Sequence, residues 1–227
     1  MNSETTLSPM SVGRYTNAEG LPTPLPYSSE EAERARRAIT RVLNTFHFRT
    51  GSNIMITALF HEGAQLMPLE RAIMSYGMVA VSADSSPYDA KRVESITRRF
   101  QLAGAAGISA DTLTGLEQLG FNPEDVFANM VVWARSDAYE QLKAIPSLDV
   151  YHLIELGPAV AIECSHGSGA HIDRFEWKTE EQDGEIVLTN RLARSTPFQH
   201  YKTGVKGRIL HDACQCGNAD PRIELNP

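Results

Sequence analysis

The stretch NIMITALF (53–60) decides how the middle of this chain is expected to fold. It is a short, mostly apolar run between the turn-forming residues TGS and the polar residues HEG, which is typical of a strand buried on both faces. Four similar runs follow along the chain, at 78–83, 103–109, 129–134 and 149–154. Stretches with apolar residues at helical spacing separate these runs. Strands that alternate with helices predict an α/β fold, with a mostly parallel sheet and helices on both of its faces.

The segments on either side of this core have a different composition. Residues 1–27 are rich in Ser, Thr, Pro and Gly, which predicts an irregular segment. Ser28 and Glu31 have the spacing of a capping box, so a helix is expected over about 29–46. After Glu155 the strand-like runs are short and turn residues separate them, which predicts a β-rich part. We therefore expect three segments, at 1–27, 28–155 and 156–227.

Composition excludes several classes of function. The chain has 227 residues, of which 42% are hydrophobic and 22% charged, as in an ordinary globular protein. The formal net charge is −7 and the basic residues are not clustered, which argues against a nucleic-acid partner. No apolar run approaches the roughly 18 residues that a membrane span needs. The N-terminal sequence does not resemble a secretory signal, so a cytoplasmic protein is expected.

Three cysteines and one histidine are candidates for a metal site. Cys164 and His171 lie in one short segment, and Cys214 and Cys216 are separated by a single residue. Thiolate and imidazole are preferred zinc ligands, and four protein ligands close the tetrahedron, which predicts a structural rather than a catalytic metal. His166 is the weaker candidate ligand. The alternative is three buried cysteines without a metal, since a free cysteine is often a core residue.

The order of motifs after residue 150 resembles a known family. The segments, in chain order, are YHLIELGPAVAIEC, GAHID, GEIVLTN, TPFQHYKTGVKGRI and CQCGNADPRI. They resemble the later core of AMP-forming acyl- and aryl-CoA ligases, in the phenylacetate–CoA ligase and coenzyme F390 synthetase branch. The resemblance implies a shortened large domain of such a ligase. It also implies that a structural zinc ion is bound by Cys164, His171, Cys214 and Cys216.

The same resemblance suggests site residues elsewhere in the chain. The segment LFHEGAQ (59–65) is similar to the family segment with a histidine beside the acyl pocket, here His61. By the same resemblance, Tyr151 would stack on adenine and Glu155 would approach magnesium. Further candidates for the same cleft are Glu62, His152, His200 and Tyr201. A histidine at a strand end suits a general acid or base, because it titrates near neutrality. The alternative for all of these residues is an ordinary hydrogen-bonded or solvated surface position.

The chain departs from the family at the positions that would bind nucleotide. The run TNAEGLPT replaces the phosphate loop, with the negative charge of Glu19 and with Leu21 in the lysine position. Val205 stands where the family has the aspartate that binds the ribose. The resemblance includes neither the small C-terminal domain with the adenylation lysine nor the long N-terminal region. These departures argue against ordinary use of ATP or AMP.

Two classes of function remain open. The first is a reduced enzyme of a biosynthetic pathway, which hydrolyses, cyclises or dehydrates an activated aromatic or acyl carboxylate derivative without adenylating it. His61 would be its acid or base, assisted by His152 or Glu155. The second is a non-catalytic, ligase-like binding or accessory protein. A homodimer, or a complex with another ligase or a carrier protein, would cover exposed sheet edges. A further alternative is an ATP-dependent ligase core whose missing domain a partner supplies.

Overall fold

The structure is a computed structural model that describes residues 6–226. The helices are α1 (Ser29–Leu43), α2 (Gly63–Ser75), α3 (Ala90–Arg99), α4 (Ala110–Gln118), α5 (Pro123–Val126) and α6 (Tyr139–Lys143). The first strands are β1 (Ser11–Thr16), β2 (Pro22–Tyr27), β3 (Asn53–Thr57), β4 (Val79–Ala83), β5 (Leu102–Ile108), β6 (Val131–Arg135) and β7 (Asp149–Leu156). The later strands are β8 (Ala159–Glu163), β9 (Ala170–His171), β10 (Trp177–Gln182), β11 (Glu185–Asn190), β12 (Tyr201–Leu210) and β13 (Arg222–Leu225). Short 3₁₀ turns cover Asn44–Phe46, Phe60–Glu62 and Pro87–Asp89.

Within residues 6–226, eleven strands form one sheet in the order β10-β11-β12-β13-β9-β8-β7-β6-β5-β3-β4. Strands β3 to β7 pair in parallel, because helical crossovers join them. Only Gly157 and Pro158 separate β7 from β8, so the chain reverses there and the pairings from β8 to β13 are antiparallel. The expected α/β fold with a β-rich C-terminal part is confirmed. The division into three segments stays a prediction.

The chain order of the parallel strands reverses at β3, which lies between β4 and β5. Helices cover both faces there. On one face Ile54 and Leu66 belong to the core that α1 and α2 cover, whereas on the other face Met55 and Val93 belong to the core beneath α3 and α4. In open α/β sheets, such a reversal leaves a crevice at the carboxyl ends of the strands. Residues that follow β3 and residues at the end of β7 line one cleft there.

The N-terminal segment corrects the sequence prediction. An irregular segment is predicted for 1–27, of which residues 1–5 lie outside the described part of the chain. Residues 11–27 form the antiparallel hairpin of β1 and β2. Tyr15 and Leu25 are buried in the core of the β-rich part. The hairpin also packs closely on α2, because a Cβ atom at Gly13 would lie 2.8 Å from the Cβ atom of Ala64.

The prolines of β2 are the reason why the sequence predicts a loop here instead of a hairpin. They occupy alternate positions of β2, at Pro22, Pro24 and Pro26. The N–H group of Asn17 donates to the carbonyl of Leu21, which makes that pair a hydrogen-bonded one. The alternation of an antiparallel ladder then places the prolines in non-hydrogen-bonded pairs with β1. Their missing N–H groups remove no ladder hydrogen bond, so the strand tolerates them.

Helix α1 begins as the sequence predicts. The N–H group of Glu31 donates to the hydroxyl of Ser28 at 3.2 Å, and the N–H group of Ser28 donates to the Glu31 carboxylate at 2.8 Å. The α-helix ends at Leu43, and the predicted end near residue 46 includes the 3₁₀ turn that follows. Glu31 also forms an ion pair with Arg194 at 3.0 Å, which ties the start of α1 to the β-rich part.

Most other predicted elements are present, with small shifts at their ends. The predicted strand at 53–60 ends at Thr57, and the one at 129–134 continues to Arg135. The short helix α5 was not predicted. Across residues 6–226, no helix combines the length and apolar character needed to cross a membrane.

Candidate functional site

A cleft with a volume of about 330 Å³ lies at the carboxyl ends of the parallel strands. The hairpin of β1 and β2 forms one wall, and the start of β12 forms another. Three predicted site residues line it together: His61 and Glu62 from the 3₁₀ turn after β3, and Glu155 from β7. Arg14 and Gln65 also line it. The topology thus brings together groups that are far apart in the sequence.

Arg135, the last residue of β6, holds the two glutamates of the cleft. Its guanidinium donates to both carboxylate oxygens of Glu62, at 2.7 and 2.8 Å, and to one oxygen of Glu155 at 3.2 Å. The side chains of Arg135, Glu62 and Glu155 are 9%, 16% and 35% exposed. We call these three residues the acidic triad. With both carboxyl groups ionised it carries one net negative charge.

The two carboxyl groups of the acidic triad have different proton affinities. Burial acts to raise the pKa of Glu62, but the hydrogen bonds and charge of Arg135 outweigh it, so the pKa lies below its usual range. Burial raises the pKa of Glu155 above its usual range, and Arg135 offsets this only in part. Pairs of acids whose pKa values are driven apart are typical of acid–base sites. Glu155 is therefore the more readily protonated member.

Gly107 completes the support of Arg135. It lies at an irregular point of β5 with φ +86°, and its carbonyl accepts a hydrogen bond of 3.0 Å from Arg135. A Cβ atom there would lie 2.3 Å from the carbonyl oxygen of Thr57. Both the backbone conformation and the close approach therefore require glycine.

We expect Gly107→Ala to lower the free energy of unfolding by about 2 kcal/mol or more, through left-handed strain and collision with Thr57. Urea denaturation measures the loss. Gly120→Ala is the matched control, because Gly120 has φ +76° but open space around its Cβ position. Equal losses in the two variants would show that the approach to Thr57 has no energetic consequence.

Gln65 lies one helical turn beyond His61, on α2, and sequence reasoning missed it. Its side-chain amide donates to the carbonyl of Gly157 at 3.2 Å. Its Oε1 atom is buried and has no hydrogen-bond partner among residues 6–226. A buried, unpaired acceptor is unfavourable until a ligand or water donates to it. The spacing of four residues from His61 was the available signal, since such positions share a helix face.

The turn between β1 and β2 occupies the region that the family resemblance assigns to a phosphate loop. The Asn17 side chain accepts hydrogen bonds from the N–H groups of Glu19 and Leu21, at 3.0 and 2.9 Å. The N–H group of Gly20 donates to the carbonyl of Asn17 at 2.9 Å. A phosphate cradle needs N–H groups that point at the anion. Here these amides are already engaged within the turn.

Two predicted residues of β7 do not share the cleft. Side chains alternate along a strand, so Tyr151 and Glu155 lie on one face and His152 lies on the other. The His152 ring stacks on Tyr139 at a centroid distance of 3.2 Å. Burial, with the nearby charge of Lys143, lowers the pKa of His152 to about 4. The expectation that His152 faces the same cleft as His61 is therefore not met.

Tyr151 is enclosed by other aromatic side chains. It is buried in the core beneath α1 and α2, where its ring meets that of Phe46 edge-on at a centroid distance of 5.0 Å. Its hydroxyl donates to the carbonyl of Ser165 at 3.4 Å, and burial raises its pKa. In this arrangement the Tyr151 ring fills the core and does not line the cleft.

The two candidates beside β12 also differ in position. The His200 side chain is 76% exposed and does not line the cleft. Tyr201 packs against the rings of Tyr15 and Phe198, at centroid distances of 6.0 and 5.4 Å. A Cβ atom at Gly157 would lie 2.6 Å from the Tyr201 hydroxyl. Tyr201 therefore lies against the Gly157 wall of the cleft, whereas His200 faces solvent.

The four predicted metal ligands lie together. The ligand atoms of Cys164, His171, Cys214 and Cys216 are all within 4.8 Å of one another. The Sγ atoms of Cys164 and Cys214 are 3.7 Å apart, and Cys216 Sγ is 3.4 Å from His171 Nε2. This Cys₃His group has the chemistry and spacing to hold a metal ion.

Elements of the β-rich part position this group. Cys164 follows β8, His171 lies in β9, and both late cysteines lie in the loop between β12 and β13. The ring Nδ1 of His171 is 3.0 Å from the carbonyl oxygen of Asp220. A carbonyl can only accept, so Nδ1 carries the proton and Nε2 presents its lone pair to the cysteines. Burial lowers the pKa of His171, which favours the neutral ligand form.

Comparisons with known proteins identify the fold. No family model matches the chain, and no curated protein matches it. A solved 2-hydroxyisobutyryl-CoA ligase, in complex with 2-HIB-AMP and CoA, is 16% identical with a TM-score of 0.70; the match covers 98% of this chain and 56% of that chain. For o-succinylbenzoate coenzyme A synthetase from Bacillus subtilis, in complex with AMP, the identity is 14%, the TM-score 0.56 and the coverages 97% and 50%. The chain thus has the fold of part of an AMP-forming ligase domain and spans about half the length of these structures.

Proposed function

We propose that this chain is a reduced, ligase-like enzyme that acts on an aromatic or acyl carboxylate derivative that is already activated. The observation that carries the proposal is the acidic triad, in a cleft at the carboxyl ends of the parallel strands. A buried guanidinium keeps Glu62 ionised, while Glu155 has one carboxylate oxygen without a contact to Arg135 and a raised pKa. Such a site can take up and return a proton during a reaction.

Each cleft residue would have a distinct role in such a reaction. For hydrolysis of a thioester or ester, His61 or Glu155 accepts a proton from water as its oxygen bonds to the acyl carbon. The bond from the acyl carbon to sulfur or oxygen then breaks, and the proton passes to the leaving group. Gln65 offers its buried Oε1 atom to a hydrogen-bond donor of the substrate. Cyclisation or dehydration would use the same acid–base pair on a different nucleophile or leaving group.

The resemblance to ligases suggests an activated substrate, and the hairpin turn suggests that the chain does not form an adenylate. The matched structures contain an acyl adenylate, CoA or AMP. In this chain the turn amides are engaged by Asn17, and Glu19 is exposed at the turn. An additional anion would therefore find the N–H groups of Glu19, Gly20 and Leu21 already engaged, and it would meet the carboxylate of Glu19. We infer that the substrate arrives already activated. The assignment to the phenylacetate–CoA ligase branch rests on the sequence motifs alone.

We also propose that the Cys₃His group binds a structural zinc ion. With zinc–sulfur bonds of about 2.3 Å, a tetrahedral site places two sulfurs about 3.8 Å apart. The separation of 3.7 Å between Cys164 and Cys214 agrees with this geometry. When bound, the ion would tie β8 and β9 to the loop before β13. Four protein ligands leave no position for substrate, so the ion takes no part in the proposed reaction.

A panel of thioesters tests the enzymatic proposal. We expect the protein to release CoA from one of a set of aryl- and acyl-CoA thioesters, detected as free thiol. His61→Ala and Glu155→Gln should each lower the rate by about 10²-fold or more, because they remove a general acid or base. His200→Ala is the matched control, since His200 is exposed outside the cleft and should leave the rate unchanged.

Nucleotide titration separates this proposal from the ligase alternative. Calorimetry with ATP or AMP and magnesium should show no binding in the micromolar range. Tight nucleotide binding, together with no thioester turnover, would contradict the proposal and would favour a ligase core that needs a partner domain. Turnover that His61→Ala and Glu155→Gln both leave intact would exclude the acidic cleft as its site.

A further inference from the structure

The two edges of the large sheet are built differently. The edge strand β10 carries Lys178, Glu180 and Glu181, and Lys178 pairs with Glu180 at 2.8 Å. Charged side chains on an edge strand discourage pairing with another chain. The opposite edge strand, β4, reads VAVSA and has neither a charge nor a proline. Val79 is 49% exposed there. One edge is therefore protected and the other is open to a further strand.

The hydrogen-bonding groups of β4 determine which strand fits. The N–H group of Val79 donates to Ser52, and the carbonyl of Ala83 accepts from Ala58, so these groups point towards β3. In a parallel ladder the direction alternates from residue to residue. Ala80 and Ser82 therefore point their N–H and carbonyl groups away from the sheet. The open edge offers two donors and two acceptors, at positions two residues apart.

We propose that β4 pairs in antiparallel fashion with β4 of a second copy of this chain, about a two-fold axis at Val81. In this register Ala80 lies opposite the partner's Ser82, and Ser82 lies opposite the partner's Ala80. Each pair exchanges two hydrogen bonds, so the groups that point outward from both copies are all paired. Val81 and the partner's Val81 form the non-hydrogen-bonded pair between them. A shift by two residues would leave half of these outward groups without their partners.

Exposed apolar side chains lie at both ends of β4, and a two-fold axis at Val81 would bring those at one end of each copy to the other end of its partner. At the amino end of the strand, Met74 and Val79 are 53% and 49% exposed. At the carboxyl end, Phe60 and Tyr88 are 101% and 97% exposed. A groove of about 310 Å³ lies at this end. Apolar residues that include Phe60 and Ala83 line it, together with the charged residues Glu70, Asp84 and Arg92. Antiparallel pairing brings the amino end of each copy to the groove end of the other. Such a self-complementary patch is the property of a two-fold interface.

This complementarity favours a second copy over an unrelated partner. In the proposed pairing, the outward hydrogen-bonding groups of one copy bond to those of the other. The exposed side chains at the amino end of β4 in each copy lie near the groove of the other. The inference is independent of the proposed reaction, because the acidic triad and the cleft do not include β4.

The association state tests the proposal on the full chain. Light scattering should give twice the 25.0 kDa of one chain at micromolar concentration. Val79→Lys places a charged side chain opposite the partner's Ala83, which is buried. Ala80→Pro removes an outward N–H group without touching the ladder to β3. Each should shift the protein to the mass of one chain while the circular dichroism spectrum stays unchanged. Leu192→Lys is the matched control, since Leu192 is an exposed aliphatic residue outside β4.

A cross-link tests the register. In a non-hydrogen-bonded antiparallel pair the Cα atoms are about 4.5 Å apart, which a disulfide can span. Val81→Cys should therefore give a covalent dimer on a non-reducing gel, whereas Val81→Ser and Thr179→Cys on the opposite edge should not. A monomeric wild-type protein would overturn the proposal. So would a dimer that survives both Val79→Lys and Ala80→Pro and forms no Val81→Cys cross-link.

Discussion

Cys214→Ser is expected to lower the free energy of unfolding by about 4 kcal/mol or more, because the proposed zinc ion contributes directly to folding. Cys214 is buried and its Sγ atom contacts Cys164 at 3.7 Å. Its loss would leave three ligands, with Cys216 as the single remaining one from the loop before β13. Denaturant unfolding measures the change, and metal analysis should find about one zinc per chain in the wild type and little in the variant.

The neighbouring histidines provide a matched pair for this test. His171→Ala should resemble Cys214→Ser in stability and metal content. His166→Ala should resemble the wild type, because His166 is exposed and does not belong to the Cys₃His group. A chelator should destabilise the wild type and have no effect on the ligand variants. A metal-free wild-type protein that is as stable as before would show that the cysteines are core residues without a metal.

Arg135→Met should produce the second large effect, a loss of about 3 kcal/mol at neutral pH. Removal of one partner of a buried ion pair leaves an uncompensated charge. Most of the loss should come from Glu62, whose side chain is 16% exposed. The Glu155 side chain is 35% exposed, and solvent screens its charge more strongly. Denaturant unfolding at several pH values measures the loss.

The pH dependence of this variant has a definite sign. Without Arg135, the pKa of each carboxyl group in the folded state would lie above its unfolded value of about 4.3. The folded variant then binds more protons than the unfolded chain, so its stability decreases as pH rises through the folded pKa. In the wild type, the lowered pKa of Glu62 acts in the opposite direction: its contribution is present above the unfolded pKa and is lost as pH falls. The variant should therefore differ most from the wild type at neutral pH and less near pH 5.

Removing all the charges of the acidic triad separates the electrostatic contribution to stability from the contribution of packing. Glu62→Gln and Glu155→Gln, added to Arg135→Met, should restore part of the lost stability, because no unpaired carboxylate remains. The restored stability should no longer fall with rising pH. An Arg135→Met loss that is equal at pH 5 and pH 8 would contradict the electrostatic explanation and would assign the effect to packing.

Sequence reasoning found the elements whose side chains are buried in a regular pattern. The apolar run at 53–60 identified β3, and the Ser28 and Glu31 spacing located the start of α1. The Cys₃His group was also anticipated from its residue types, and the family resemblance strengthened that prediction. These features depend on local residue types or on motifs that are visible in one segment.

The remaining features depend on contacts that the sequence does not display. Arg135 was missed because a single charge at the end of an apolar run is equally typical of a solvated strand end. Its partner Glu62 is 73 positions away along the chain. The hairpin was missed because prolines usually indicate a loop. Only the pairing of β2 with β1 shows that these prolines lie at non-hydrogen-bonded positions. His152 is separated from the cleft because it lies on the opposite face of β7 from Glu155. The position of β7 in the sheet decides which of its two faces lines the cleft.

The position of β13 has a consequence for how the chain acquires its structure during synthesis. This four-residue strand lies between β12 and β9, so the hairpins of β10 to β12 and the sheet of β3 to β9 are joined through it. A ribosome makes β13 after all the strands that it joins. Before β13 is made, the earlier strands lack the one that joins them, so the large sheet cannot be continuous and the facing edges of β9 and β12 are open to wrong pairing. Cys214 and Cys216 are made just before β13, so the Cys₃His group becomes complete only shortly before the strand that closes the sheet.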